Sequence, residues 1–137
     1  MATYWAFLAD PEDYGWSHMV EQGRAVWDGV KNARAQNYMK ECAAGDLVIV
    51  YHTAPDKAVQ GIAKVVREAY PDPKAPDRVV VDIEPVKPLA RPLTLAEMKA
   101  DDTLSQMSFV RMARVAVQPV KAAEWKRVLA LSGTKGA

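Results

Sequence analysis

A chain of 137 residues, half of them hydrophobic and 26% charged, has the size and composition of one ordinary globular domain, which excludes a largely disordered chain. Its single cysteine, Cys42, excludes an internal disulfide and a cysteine-based zinc site and points to a reducing, cytoplasmic setting. A net charge of +1 excludes nucleic-acid binding by bulk electrostatics, and no apolar run approaches the roughly 20 residues of a membrane span.

Residues 3 to 8, rich in aromatic and β-compatible side chains, predict a first strand that ends at the Asp10-Pro11 turn. Tyr14, Trp16, Met19 and Val20 recur at roughly helical spacing, and Gly23 is placed to end that short helix. A second helix is expected from Asn32 to Cys42, with Asn32 as its cap, Ala35, Tyr38, Met39 and Cys42 on its buried face, and Gly45 as its stop. Leu47 to Tyr51 reads as a buried strand, and Val59 to Arg67 as its partner after a Pro55-Asp56-Lys57 turn. In that partner Val59, Gly61, Ala63 and Val65 are expected on one face and Gln60, Ile62, Lys64 and Val66 on the other, with Gly61 marking a bend or a close approach.

Arg78 to Val86 predicts a further strand, and Pro85, Pro88 and Pro92 exclude a helix beyond it and confine any pairing there to an edge. Thr94 with Glu97 predicts a capping box opening a brief helix to Ala100. Leu104 to Val110 reads as a loop or a single helical turn, residues 114 to 118 as a last strand stopped by Pro119, and Lys121 to Leu131 as an amphipathic helix. We expect one domain over residues 1–137, an α+β fold built on a mixed β-barrel of about five or six strands with flanking helices, and a loose tail over 132–137.

Catalytic candidates are few. No nucleophile elbow, metal-ligand cluster or phosphate-cradling glycine loop occurs, so neither an enzyme nor a cofactor is expected. The binding inventory is richer. Trp27 and Asp28 lie on a turn with Gly29 just before the Asn32 helix, a placement that either packs the indole in the core or presents its face to a flat ligand. Tyr51, His52 and Thr53 end a buried strand, where His52 is either satisfied by the backbone or in contact with a ligand; Trp16 is either a lid or core. Residues 1–21 carry four carboxylates and no Lys or Arg, whereas 108–127 carry five cations against Glu124. Arg111 and Arg114, with Lys31, Arg34 and Arg24, are therefore either solvated surface charge or contacts for phosphates around a base.

Tyr4-Trp5, Asp10-Pro11, Tyr14, Trp27 to Asn32, Gly45-Asp46, Tyr51-His52, Gly61, Tyr70-Pro71-Asp72 and Val117-Gln118-Pro119-Val120, in this order over residues 4 to about 131, resemble the signature of the EVE domain. That family is similar in fold to PUA and YTH domains and includes the thymocyte nuclear protein. The resemblance implies a PUA-like barrel that holds a nucleobase, often a modified one, in an aromatic pocket formed by Trp27, Asp28, Gly29, Asn32, Tyr51, His52, Thr53 and Trp16. It implies a DNA or RNA partner carrying a modified base, with Lys31, Arg34, Arg111 and Arg114 on the phosphates. The alternative is a binding protein for a nucleoside or a similar small heterocycle. We expect a monomer with no membrane partner. Leu8, Ala9, Gly15 and Ala116 stand where the family tends to carry polar residues, and Arg34-Ala35-Gln36-Asn37 where it tends to have Gln-Ala-Arg-Asn, so the pocket is expected to be more apolar than in its relatives.

Overall fold

The computed structural model describes residues 4–28, 30–112 and 115–135. Among these, six strands form one mixed sheet: β1 (Tyr4–Ala9), β2 (Ala25–Trp27), β3 (Leu47–His52), β4 (Ala58–Asp72), β5 (Ala75–Thr94) and β6 (Val117–Val120). Five helices accompany them: α1 (Trp16–Gln22), α2 (Ala33–Glu41), α3 (Leu95–Ala100), α4 (Ser108–Arg111) and α5 (Ala122–Ser132), with a 3-10 turn at Leu104–Gln106. The predicted loop or single turn after residue 104 is thus two consecutive single turns. None of the helices is long and apolar enough to cross a membrane.

The strand order is β2-β5-β4-β3-β1-β6. Only β1 and β3 run parallel, joined by the long excursion through α1, β2 and α2 that a parallel pair requires. Laid flat, β2 and β1 would stand four strand spacings apart, about 19 Å. The rings of Phe7 in β1 and Trp27 in β2 are instead 5.3 Å apart, so the sheet curls until its first and fifth strands face each other. The curl stops short of a closed barrel. Pairing ends at β2 on one side and at β6 on the other, because the three-residue β2 pairs only with β5. β2 itself, too short to leave a periodic signal, is absent from the predicted elements.

Two cores follow, one on each face. Inside the curl, Trp5, Phe7, Val48, Val50, Ala63, Val65, Val81 and Ile83 pack with Trp27 and with Met19, Ala35 and Met39 of the helices. Outside it, Ala6, Ile49, Tyr51, Val59 and Ile62 pack under Met98, Leu104, Met107, Phe109, Trp125 and Val128. Burial on both faces is why β1 and β3 read as unbroken apolar runs.

β4 departs from the predicted alternation. Val50 pairs with Gly61 and Tyr51 with Val59, so Gln60 is an extra residue, a bulge that turns Val59 to the outer core beside Ile62 while Ala63 and Val65 stay inside. Gly61, at this bulge, lies against the Trp16 indole: a Cβ built there would stand 2.5 to 2.7 Å from three of its ring atoms. The close approach is made by a ring.

Pro85, Pro88 and Pro92 lie within β5, beyond the Val81–Ile83 segment that pairs with β2, where β5 has a single neighbour and a missing N–H costs no ladder bond. Pro119, expected to end the last strand, sits inside β6, which is an edge strand paired only with β1. Asn32 caps α2, accepting from the Ala35 N–H at 3.0 Å, and Thr94 and Glu97 form their box at α3. Within the tail expected to be loose, Thr134 is held, its N–H donating to the Leu129 carbonyl and its hydroxyl accepting the Ala90 N–H, each at 2.9 Å; residues 136–137 lie outside the described residues.

Candidate functional site

The seam left by the incomplete curl is a cavity of about 780 Å³, lined by Leu8 and Ala9 of β1, Val26 and Trp27 of β2, the segment Asp28, Val30, Lys31 and Asn32 leading into α2, and Ala116. Asp10, Asp13, Tyr14, Gln22 and Arg24 complete its rim. That volume lies within the roughly 300–1,000 Å³ usual for small-molecule sites. Trp27 belongs to the inner core and also borders the cavity. Its ring is only 7% exposed and packs on Phe7 and, edge-on at 6.4 Å, on Tyr14, yet it remains part of the cavity wall.

The polar groups divide into fixed and free. Arg24 donates from Nε and Nη2 to one oxygen of the buried Asp82, at 3.1 and 2.8 Å, while the Tyr70 hydroxyl donates to the other at 2.5 Å. That bond pushes the Tyr70 phenol above its ordinary pKa, since ionising it would set two anions together. Tyr14 donates to Gln22 Oε1 at 2.7 Å, and burial raises its pKa. The Gln36 amide ties α2 to β5, donating to the carbonyls of Val30 and Val79 at 2.9 and 3.1 Å and accepting from the Val79 N–H at 2.8 Å, which holds the Val30 wall in place. Among the described residues the side chains of Asp13, Asp28 and Lys31 have no partner, and the Asn32 amide nitrogen is left over once its oxygen has capped α2. The described residues contain no cluster of His, Cys, Asp and Glu suited to a metal ion.

Of the residues predicted for the pocket, Trp27, Asp28 and Asn32 therefore line this cavity, with Lys31 from the phosphate set. Gly29 and Arg114 lie outside the described residues. Four others sit elsewhere. Tyr51 belongs to the outer core, its ring 5.0 Å from Phe109. Trp16 lies on Gly61. The Thr53 N–H donates to the Ala9 carbonyl at 2.9 Å, joining the ends of β3 and β1.

His52 holds the start of α1: its Nε2 accepts the Trp16 N–H at 2.9 Å, so its proton resides on Nδ1, which donates to Asp56 at 2.8 Å. Next to it the Gly15 N–H donates to His18 Nδ1 at 2.9 Å, and a side chain at Gly15 would meet the His52 ring at 3.2 Å. Two histidines thus satisfy the first N–H groups of a helix that lacks a Ser, Thr or Asp cap. Arg34 reaches the Met112 sulfur at 3.3 Å, and Arg111 lines a second cavity described below.

Sequence reasoning missed the apolar wall contributed by β2 and the acidic rim. Of the four positions whose departure from the family pattern led to the expectation of a more apolar pocket, Leu8, Ala9 and Ala116 line the cavity and Gly15 does not.

Comparison with known proteins gives three lines of likeness. The EVE domain family profile matches residues 3–131. Thymocyte nuclear protein 1 of Danio rerio is 32% identical over 130 residues, an alignment covering 77% of this chain and 56% of that protein, so the chain spans little more than half the length of this relative. A solution structure of a Rhodopseudomonas palustris protein superposes with a TM-score of 0.91 at 39% identity, covering 97% of this chain and 94% of the other. The human THYN1 protein, solved in complex with 5-methylcytosine-containing DNA, superposes with a TM-score of 0.87 at 23% identity, covering 97% and 99%, a likeness of fold.

Proposed function

This chain belongs to the EVE domain family, and from that membership we propose that it binds nucleic acid without catalysis, drawing one modified base into the cavity walled by Trp27. The observation that carries the reading is the pairing, in one seam, of an indole wall with unpartnered edge groups. Leu8, Ala9, Val26 and Val30 offer an apolar surface suited to a methyl group, while Asp28 suits the exocyclic amine of a cytosine. The DNA bound by human THYN1 carries 5-methylcytosine, and cytosine with a methyl or hydroxymethyl group is the ligand class this lining favours. A base taken from a duplex has to be unstacked, at about a few kcal/mol, so single-stranded sites bind more readily. RNA carrying such a base meets the same wall.

A second reading, a free nucleoside as ligand, draws on the charge of the rim: Asp10, Asp13 and Asp28 outnumber Lys31 and Arg24, and Arg24 is already paired. The test is titration of two short single strands, identical except for one 5-methylcytosine, against the protein and Trp27→Leu, which keeps apolar volume and removes the indole. Stacking worth about 1–3 kcal/mol predicts a fivefold or larger loss of affinity for the methylated strand and a collapse of discrimination. Retained discrimination in Trp27→Leu refutes the indole wall. Binding of 5-methyl-2′-deoxycytidine as tight as that of the strand, and insensitive to salt, decides for the second reading.

A further inference from the structure

The second cavity, of about 940 Å³, opens beside the start of α5 and is lined by Arg111 and Lys121, with Tyr4, Met112, Pro119 and Glu124. We infer that it is the backbone subsite of the nucleic-acid strand, taking the phosphates that flank the base held in the first cavity. The inference rests on the base-binding reading above and extends it to a polymer.

Charge argues for it. The first cavity presents more carboxylates than cations, and one of its cations is occupied by Asp82, so a phosphate there meets net repulsion. A strand whose base enters that cavity has to have its phosphates neutralised nearby. The second cavity has the opposite balance: among the described residues the side chains of Arg111 and Lys121 have no carboxylate partner, while Glu124 is buried and its carboxylate takes the Lys121 N–H at 2.9 Å.

Continuity argues for it too. Lys31 and Asn32 line the first cavity; two residues on, Arg34 reaches across to Met112, which lines the second and is 37% exposed. A chain of cations thus runs from the base seam through Arg34 to Arg111 and Lys121. The buried Gln118 donates to the carbonyls of Met112 and Val115 at 2.6 and 2.8 Å and accepts from the Ser108 hydroxyl, fixing α4 against β6.

The experiment compares Arg111→Ala/Lys121→Ala with Lys64→Ala/Lys99→Ala, which removes the same charge from exposed positions on β4 and α3 away from both cavities. Each is titrated with the methylated and the plain ten-nucleotide strand across a salt series, after thermal melting has confirmed folding. Absolute affinity reads the second cavity; the ratio of the two affinities reads the first. Expected for the first double variant is a loss of about tenfold on both strands, an unchanged ratio, and a salt slope flattened by about 1.4, two single-strand phosphate contacts. Wild-type affinity and slope in that variant overturn the inference, as does an equal loss in the control pair or a changed ratio. A wild-type ratio of one sinks the base-binding reading instead, and failure of the wild type to bind either strand sinks both.

Discussion

Gly61→Ala isolates the contact on which the placement of α1 depends. An alanine in a strand is ordinarily better than glycine by about 0.5–1 kcal/mol, so without a steric obstacle the substitution stabilises. Here the added Cβ lies 2.5 to 2.7 Å from three carbons of the Trp16 indole, whereas carbon atoms rest about 3.5–4.0 Å apart. The ring has to retreat by about 1 Å, and since the Trp16 backbone N–H is held by His52, it has to do so by turning about its own side-chain bonds and not by a shift of the main chain. Overpacking of this kind costs about 1–3 kcal/mol, which exceeds the gain from losing glycine. With a urea m-value of about 2 kcal/mol/M, a net loss near 1 kcal/mol lowers the unfolding midpoint by about 0.5 M. Trp16→Leu removes the obstacle at its own packing cost, so Gly61→Ala added to Trp16→Leu is expected to be neutral or stabilising. An unchanged or raised midpoint for Gly61→Ala alone, or the same loss in the Trp16→Leu background, refutes the reasoning.

His52→Leu removes the acceptor of the Trp16 N–H and the donor to Asp56, and is expected to destabilise by about 1–3 kcal/mol in urea unfolding while leaving the methylated-to-plain affinity ratio intact; a collapsed ratio would assign His52 to the ligand. Glu97 bonds Arg91 at 2.7 and 2.9 Å, and chiefly through those bonds its carboxyl is held down to about 2, below its ordinary 4.5. A depressed carboxyl pKa contributes stability above its unfolded value, so this contribution is present at neutral pH and is lost as pH falls from about 4.5 through about 2. Glu97→Gln should remove about 0.2–1 kcal/mol at pH 7, an exposed pair being weak, and progressively less as pH falls from about 4.5 towards and below about 2; the check is a thermal melt across that range.

Local features were legible in the sequence because local chemistry decides them. Asn32 caps α2, Gly23 ends α1 with a φ of 75°, and Thr94 with Glu97 opens α3, each within a few residues of the predicted place. The resemblance carried by scattered motifs anticipated the family that the profile match identifies. Two features escaped: β2 spans three residues, too few for a period, and the bulge at Gln60 inverts Val59 with no sign in the alternation. His52 ends its strand as expected, and of its two readings the structure shows the backbone one, its ring accepting the N–H of Trp16 at the start of α1.

The sequence by itself determined most of the helices and the longer strands, where α1, α2 and α3 are capped or stopped, and that β3 is buried, since capping, turn chemistry and apolar runs act over a handful of neighbours. The tertiary structure alone decided that the sheet curls without closing, and so that Trp27, Asp28, Lys31 and Asn32 share a seam with Leu8, Ala9 and Ala116. The physical reason is distance along the chain. The seam brings together the first strand, a three-residue edge strand and a segment more than 80 residues later, and only packing of the whole sheet fixes the gap between them.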